Sequence, residues 1–188
     1  PLYPAAFAPS MGETDVRHLR GAKLVLMVQC DFDGTITDGI VSELIREDFG
    51  PPELRVMEEE YVAGKLSVEE SNIRQFALVP ATAKDIEDFV FSEVVVRDGF
   101  EDFVDYCRGE GVRLVVVSSG LDLYIDPTLR RIGLDHLEMH SGKAHVTGSG
   151  IRVEYADPSG SVIVRGFKES FLRDFKRSGN TVVYIGDG

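Results

Sequence analysis

Hydrophobic and polar positions divide the chain into short apolar runs and longer amphipathic stretches. Three apolar runs, at residues 24–28, 112–117 and 181–185, predict strands that are buried on both faces, as in a parallel sheet. Amphipathic helices are predicted before the second and third of these strands, over residues 99–111 and 167–177. This alternation of helix and strand predicts an α/β fold with a doubly wound, Rossmann-like parallel sheet.

The segment between the first two strands, residues 38–98, follows a different pattern. It is rich in Glu, Leu, Val and Ile, and it carries few strand signals. Ser67 followed by Glu70, and Thr82 followed by Asp85, have the capping-box pattern of a helix start. The segment is therefore predicted to be a helical insertion in the α/β core.

The chain is predicted to have three parts. The core comprises residues 23–37 and 99–188, and the helical insertion comprises residues 38–98. Within the core, residues 142–165 alternate Val, Thr, Gly and Tyr between turn-forming residues, which predicts a small excursion of antiparallel β-hairpin strands. Residues 1–22 lack any period, and we expect them to form a flexible leader.

Composition narrows the possible partners. A net charge of −12 and a sequence pI near 4.7 argue against nucleic acid and anionic membranes, since both require basic surface. No apolar stretch approaches the roughly 20 residues of a membrane span. Cys30 and Cys107 do not make a disulfide framework, so buried thiols and a cytoplasmic setting are expected. An acidic protein that binds a phosphate ester must concentrate cations, or a metal, locally.

Two carboxylates, Asp31 and Asp33, follow the first predicted strand directly. Open α/β sheets bind their ligands at the C-terminal ends of the strands, and the spacing of two residues aims both side chains to the same side. One acid could then act as a nucleophile while the other transfers protons. An Asp-Gly turn with two solvated acids would account for this pair equally well.

Further polar residues fall at other predicted strand ends or helix starts. Ser118 and Ser119 follow the second strand and precede a predicted helix at about 121–132; their position suits a phosphate oxygen. Lys168 opens the last helix, where its positive charge could face phosphate. Asp187 follows the last strand, and it could supply with Asp31 the oxygen ligands that Mg²⁺ prefers.

The order DFDGTIT, VVVSSG, a lone lysine opening a helix, and GDG resembles the haloacid dehalogenase superfamily of aspartate-nucleophile phosphatases. The resemblance implies Asp31 as the nucleophile and Asp33 as the general acid and base. It also implies that Asp31, Asp187 and the carbonyl of Asp33 hold Mg²⁺, and that the helical insertion is a mobile cap. The phosphate-binding residues that it implies are Gly34, Ser118, Ser119, Gly120 and Lys168.

Within this superfamily the chain is similar to the phosphoserine phosphatase group, and most of all to 2-hydroxy-3-keto-5-methylthiopentenyl-1-phosphate phosphatases. The similarity covers the segments DFGPPEL, GKLSVEESNIRQF, VVVRDGFEDFV and SSGLDLYIDP. Phosphoserine phosphatases carry a cap Glu and Arg where this chain has Ile40 and Gln75, so phosphoserine is expected to be a poor substrate. The cap residues that could contact substrate are Tyr61, Arg74, Gln75 and Phe76.

The resemblance implies a cytoplasmic, Mg²⁺-dependent phosphatase of a small phosphorylated metabolite, for which the methionine-salvage enol phosphate is one candidate. The alternatives are a phosphoserine phosphatase, a phosphotransferase and a non-catalytic domain of the same fold. Members of the group continue beyond GDG, so we expect the chain to be truncated at its C-terminus. The strand at 181–185 would then be a sheet edge, through which homo-oligomers could form.

Overall fold

A six-stranded mixed sheet lies at the centre of the computed structural model, which describes residues 25–187. The predicted leader at residues 1–22 lies outside the described residues. The strands are β1 (Val25–Cys30), β2 (Arg113–Leu121), β3 (Glu138–Val146), β4 (Ile151–Ala156), β5 (Val162–Ile163) and β6 (Asn180–Ile185). The helices are α1 (Val41–Phe49), α2 (Leu54–Val62), α3 (Val68–Phe76), α4 (Ala83–Glu93), α5 (Phe100–Gly109), α6 (Asp122–Arg131) and α7 (Phe167–Arg177).

The strand order is β5-β4-β3-β2-β1-β6. The pairs β6–β1, β1–β2 and β2–β3 are parallel, whereas β3–β4 and β4–β5 are antiparallel. The C-terminal ends of β1, β2 and β6 therefore lie next to one another, which is where the sequence places its polar motifs. The predicted α/β class is confirmed.

The predicted hairpin excursion differs from the observed strands in one respect. The sequence predicts small antiparallel strands from residue 142 onward, but β3 begins at Glu138 and pairs in parallel with β2. Only its second half, from Lys143 to Val146, pairs antiparallel with β4. The excursion is thus a continuation of the main sheet.

The core fills both faces of the sheet with apolar side chains. The strand β2 is buried along almost its whole length, as its run of valines predicts, and α7 packs three phenylalanines into the core. Those residues are Phe167, Phe171 and Phe175. Cys30 and Cys107 are buried free thiols, as predicted.

The helices α1 to α4 form the insertion between β1 and α5. The chain enters and leaves it side by side, where Thr37 and Val96 form an antiparallel bridge. Capping boxes open α3 at Ser67 and α4 at Thr82, as the sequence predicts. We propose that this insertion is the cap domain expected at residues 38–98.

The strand β6 pairs only with β1 among the described residues, and it forms one edge of the sheet. The edge position agrees with the expectation for residues 181–185, and association through it stays a prediction. Within residues 25–187, no helix combines the length and apolar composition needed to cross a membrane.

Candidate active site

Asp31 lies at the C-terminal end of β1, where its buried carboxylate is held by two donors. The backbone N–H of Phe32 donates to Oδ1 at 2.8 Å, and Nζ of Lys168 donates to Oδ2 at 2.5 Å. The start of α7 is attached to β1 because the side-chain amide of Gln29 donates to the carbonyl of Lys168 at 3.0 Å. This attachment fixes the lysine beside the aspartate.

The ion pair of Lys168 with Asp31 keeps the lysine positively charged. Burial alone would lower the pKa of Lys168, but the hydrogen bond to Asp31 and the charge of that carboxylate outweigh burial, and the pKa is raised. Lys168 is therefore a fixed positive charge at neutral pH. It lies beside Asp31 in the wall of a cavity at the end of β1.

Asp33 has a different environment from Asp31. The backbone N–H of Val41, at the start of α1, donates to Oδ1 at 2.8 Å, and the hydroxyl of Tyr124 donates to Oδ2 at 2.7 Å. Burial raises the pKa of Asp33 to about 6, although these two hydrogen bonds oppose the rise. A carboxyl group with this pKa can hold a proton or release it near neutral pH.

Ser118, Ser119 and Gly120 lie within the last residues of β2 rather than beyond its end. The N–H of Gly120 donates to Oγ of Ser118 at 3.0 Å. Oγ of Ser119 instead donates to a carboxylate oxygen of Glu69 on α3, at 3.1 Å. The hydroxyl of Ser119 is therefore engaged by the insertion, whereas Oγ of Ser118 accepts from its own strand.

Asp187 lies against the loop that carries Asp31 and Asp33. Gly34 in that loop has a φ of 70°, and a Cβ atom there would collide with Oδ2 of Asp187. Only glycine allows this approach without strain. The position brings a second carboxylate, beside Asp31, to the ends of β1 and β6.

Oxygen ligands of this kind suit Mg²⁺, which binds one or two carboxylates and keeps several waters. Within residues 25–187, no cluster of three or more His, Cys, Asp or Glu side chains is placed to hold a metal ion. The predicted set has two carboxylates, those of Asp31 and Asp187, and the backbone carbonyl of Asp33. Both carboxylate oxygens of Asp33 accept hydrogen bonds from Val41 and Tyr124, which leaves its backbone carbonyl as the metal ligand. The residues present therefore fit such a set.

A cavity of 380 Å³ joins these groups. It lies between the sheet end and the helices α1 to α3. Its lining residues are Asp31, Asp33, Ile40, Ser42, Glu43, Arg46, Tyr61, Val68, Ser71, Asn72, Ser118, Ser119, Gly120, Lys168 and Asp187. The sequence-predicted catalytic and serine-motif residues are thus brought together, and Gly34 packs beneath Asp187.

Of the four cap residues predicted to contact substrate, Tyr61 lines this cavity. Arg74 is 53% exposed and pairs with Glu60. Gln75 donates to Ser71 and Glu58 and lines a different cavity, and Phe76 is buried in the core. Direct contact of these three residues with a ligand in the 380 Å³ cavity would require a rearrangement.

A larger cavity of 790 Å³ lies within the insertion, between α1, α2 and α3. It shares Glu43 and Arg46 with the smaller one, but it contacts none of Asp31, Asp33 and Lys168. The reactive groups therefore identify the smaller cavity as the candidate active site.

Several residues that sequence patterns did not single out also contribute to the site. Tyr124 binds Asp33, and Glu69 connects Ser119 to the start of α7 by also accepting from the N–H of Phe167 at 3.0 Å. Arg46 and Asn72 form part of the cavity wall. The four come from three helices, α1, α3 and α6, so no single spacing rule marks them.

The haloacid dehalogenase-like hydrolase family model matches residues 28–188. The chain is 34% identical to a 2-hydroxy-3-keto-5-methylthiopentenyl-1-phosphate phosphatase of Brevibacillus brevis, over 88% of this chain and 75% of that protein. It is 32% identical to the protein of that name from Geobacillus thermodenitrificans, over 88% and 76%. A solved phospho-aspartyl intermediate analogue of phosphoserine phosphatase superposes with a TM-score of 0.63 at 22% identity, over 88% and 79%.

The solved structure supports the fold alone, because its identity is low. The family match and the two phosphatase relatives confirm the predicted class, a phosphoric monoester hydrolase. The site geometry, the family match and these relatives together show that the chain belongs to the haloacid dehalogenase-like hydrolase family.

Proposed function

We propose that this protein is a Mg²⁺-dependent phosphatase that hydrolyses a small phosphorylated metabolite through an aspartyl-phosphate intermediate. One observation carries the proposal. Two carboxyl groups at the end of β1 have opposite surroundings: Asp31 is paired with Lys168, and Asp33 has its pKa raised to about 6. This difference suits a nucleophile beside a proton-transferring group.

In the first step, a carboxylate oxygen of Asp31 attacks phosphorus and the bond from phosphorus to the leaving alcohol breaks. Asp33, in its protonated form, gives its proton to the leaving oxygen. The raised pKa of Asp33 supports this role, because the proton is then available near neutral pH. The products are a phosphorylated Asp31 and the free alcohol.

In the second step, Asp33 is a carboxylate and takes a proton from a water molecule. That water attacks phosphorus, the bond to Asp31 breaks, and inorganic phosphate leaves. The two hydrogen bonds from Val41 and Tyr124 keep Asp33 in one orientation through both steps. Proton transfer in opposite directions by one group is thus consistent with its surroundings.

Lys168 and Ser118 bind the phosphoryl group in this proposal. Lys168 is supported by its fixed charge and by its contact with Asp31. Ser118 is favoured over Ser119, whose hydroxyl donates to Glu69. A bound Mg²⁺ would supply positive charge for the phosphate oxygens, held by Asp31, Asp187 and the carbonyl of Asp33.

The first candidate substrate is the enol phosphate in the names of the two relatives. Phosphoserine is the weaker candidate, because Ile40 and Gln75 stand where phosphoserine phosphatases carry a charged Glu and Arg. A phosphotransferase would use the same first step and a different acceptor. Assays with and without an added alcohol separate the two reactions, because a transferase would form a new phosphate ester in place of inorganic phosphate.

The test uses p-nitrophenyl phosphate, Mg²⁺ and three proteins: the wild type, Asp31→Asn and Asp38→Asn. We expect turnover by the wild type and by Asp38→Asn, which changes an exposed aspartate of the same loop. Asp31→Asn should be inactive and show no phosphoryl adduct by mass spectrometry of rapidly quenched samples. An adduct on another residue, or substantial turnover by Asp31→Asn, would refute the proposed nucleophile.

A further inference from the structure

We propose that Arg46 is a specificity-determining residue, which binds an oxygen acceptor on the leaving group of the substrate. The acceptor is a carboxylate, or a keto or enol oxygen, close to the phosphate ester. This inference rests on the proposed phosphatase function and names the substrate class of that site.

The position of Arg46 is fixed relative to the catalytic carboxylates. It lies on α1, whose first residue, Val41, donates its N–H to Asp33. Arg46 lines the same cavity as Asp31 and Asp33, on the wall formed by the helical insertion. A phosphate held at Asp31 would therefore extend its leaving group toward this wall.

The guanidinium of Arg46 is buried with few partners. Its side chain is 10% exposed, and within residues 25–187 it makes one hydrogen bond, from Nη1 to Oδ1 of Asn72 at 3.0 Å. Its carboxylate neighbour, Glu58, is 3.8 Å from Nη2, which is too far for a hydrogen bond. A guanidinium has five N–H donors, so most of its capacity is available to a ligand. The nitrogens of Arg46 are not among the buried polar atoms that lack a hydrogen-bond partner within residues 25–187, so those without one keep some solvent access. An oxygen acceptor from the substrate would replace water at these donors.

The charges of the cavity support the same occupant. Among its lining residues are four acids, Asp31, Asp33, Glu43 and Asp187, and two cations, Arg46 and Lys168. Lys168 is already bonded to Asp31. Arg46 forms an ion pair with Glu58 but, within residues 25–187, no hydrogen bond to a carboxylate, and its planar donor fork matches a carboxylate or another strongly accepting leaving group.

The cavity also limits the size of the substrate. Its volume of 380 Å³ must hold the phosphate as well as the leaving group. Most of the lining side chains on the insertion wall are polar, including Ser42, Ser71 and Asn72. A short, oxygen-rich alcohol fits this wall better than a long alkyl or aryl group.

Arg46 also has contacts that could make its role purely structural. Its guanidinium lies 5.8 Å from the centre of the Phe76 ring, and Glu58 on α2 is nearby. A structural role would affect all substrates alike when Arg46 is changed. A specificity role would affect only those with the acceptor.

The experiment compares kcat/KM for four esters: 3-phosphoglycerate, dihydroxyacetone phosphate, glycerol 3-phosphate and p-nitrophenyl phosphate. Relative to glycerol 3-phosphate, 3-phosphoglycerate has a carboxylate in place of one alcohol group, and dihydroxyacetone phosphate has a keto group in place of the other. We expect the wild type to prefer at least one of them over glycerol 3-phosphate. Arg46→Gln should reduce that preference by about 10- to 100-fold, mainly through KM, because the acceptor loses its donors.

Two further variants make the result interpretable. Arg108→Gln removes an exposed arginine of α5, away from both cavities, and should keep the wild-type preference. Arg46→Lys keeps the charge and should retain part of the preference, which also covers the case in which Arg46→Gln does not fold. The ester that loses more identifies the acceptor as a carboxylate or a keto oxygen.

Three outcomes would overturn the inference. Equal losses for all four esters would assign Arg46 a structural role, and an unchanged preference in Arg46→Gln would exclude contact with the leaving group. A wild type that prefers glycerol 3-phosphate over both acceptor-bearing esters would also contradict it. Absence of turnover of all four esters by the wild type would instead refute the proposed function, and this inference with it.

Discussion

The hydroxyl of Tyr124 on α6 donates a hydrogen bond of 2.7 Å to Oδ2 of Asp33, at the end of β1. Tyr124 is fully buried, and burial together with the charge of Asp33 raises its pKa well above the ordinary value for tyrosine. The phenol is therefore a permanent donor. It holds the carboxyl group that we propose as the general acid and base.

Tyr124→Phe should lower kcat by about 10-fold and change KM little, because one oxygen of Asp33 loses its donor while the cavity wall is unchanged. The hydrogen bond from Tyr124 lowers the pKa of Asp33, so its removal should shift the pH profile of kcat to higher pH. Tyr106→Phe is the control, since Tyr106 is 63% exposed on α5. An unshifted profile with wild-type kcat would contradict the role of Tyr124.

Asp33 should also make the metal-free protein less stable as pH rises. Its pKa is about 6 in the folded state against an ordinary value of 3.8, so the folded state binds the proton more tightly than the unfolded state. The stabilisation is full below the unfolded pKa and is lost as pH rises through the folded pKa. At neutral pH the ionised carboxylate of Asp33 therefore lowers the free energy of unfolding.

Asp33→Asn removes this titration and keeps a similar shape. In the presence of a chelator, the variant should gain on the order of 2 kcal/mol relative to the wild type between about pH 4 and pH 7. Urea denaturation at both pH values measures the difference. Asp38→Asn should show no such gain, and a difference for Asp33→Asn that does not vary with pH would show that the pKa of Asp33 is not raised.

Lys168→Gln should lower kcat/KM by about 10²- to 10³-fold, because a fixed positive charge beside Asp31 is replaced by a neutral amide. The measurement is steady-state turnover of p-nitrophenyl phosphate in saturating Mg²⁺. Lys84→Gln is the matched control: Lys84 pairs with Asp88 on α4, and its side chain is 78% exposed. Comparable activities in the two variants would refute a catalytic contribution from Lys168.

Local signals in the sequence were sufficient for several elements of the fold. The helix α7 has the predicted limits, Phe167–Arg177, because Gly166 precedes it and Ser178 and Gly179 follow it. The capping box of α3 was predicted from Ser67 and Glu70 alone. Such features depend on residues a few positions apart, which a single sequence displays directly.

The start of β3 depends on distant contacts instead. Residues 138–141 have no alternating pattern, and the strand forms there because Glu138 and Met139 pair with Val115 and Val116 of β2. Propensity in such a segment is weaker than the pairing that the rest of the sheet imposes. The sequence pattern therefore predicts the antiparallel strands in the right region, but it begins the first of them at residue 142, four residues after the observed start of β3 at Glu138.

The same distinction holds within the candidate site. Asp31, Asp33 and Asp187 follow strands, so their approximate meeting point was predictable from the sheet alone. Arg46 is a single arginine on an amphipathic helix, and its inward position depends on how α1 packs against α3. The side chains of the insertion wall thus required the tertiary structure.

Glu69 should be important for attaching the helical insertion to the core. It is 3% exposed, and one of its carboxylate oxygens accepts hydrogen bonds from Oγ of Ser119 on β2 and from the N–H of Phe167 on α7. Glu69→Ala would leave both buried donors without that partner. We expect a loss of about 1–3 kcal/mol in the free energy of unfolding.

Glu69→Gln keeps an acceptor oxygen and should lose less, so the two variants separate hydrogen bonding from charge. Glu60→Ala is the control, because the side chain of Glu60 on α2 is 42% exposed and pairs with the exposed Arg74. Urea denaturation gives the free energies, and hydrogen exchange of α3 amides reports whether the insertion opens more often. If Glu69→Ala matched Glu60→Ala in both measurements, the three-way contact would contribute nothing to holding the insertion over the site.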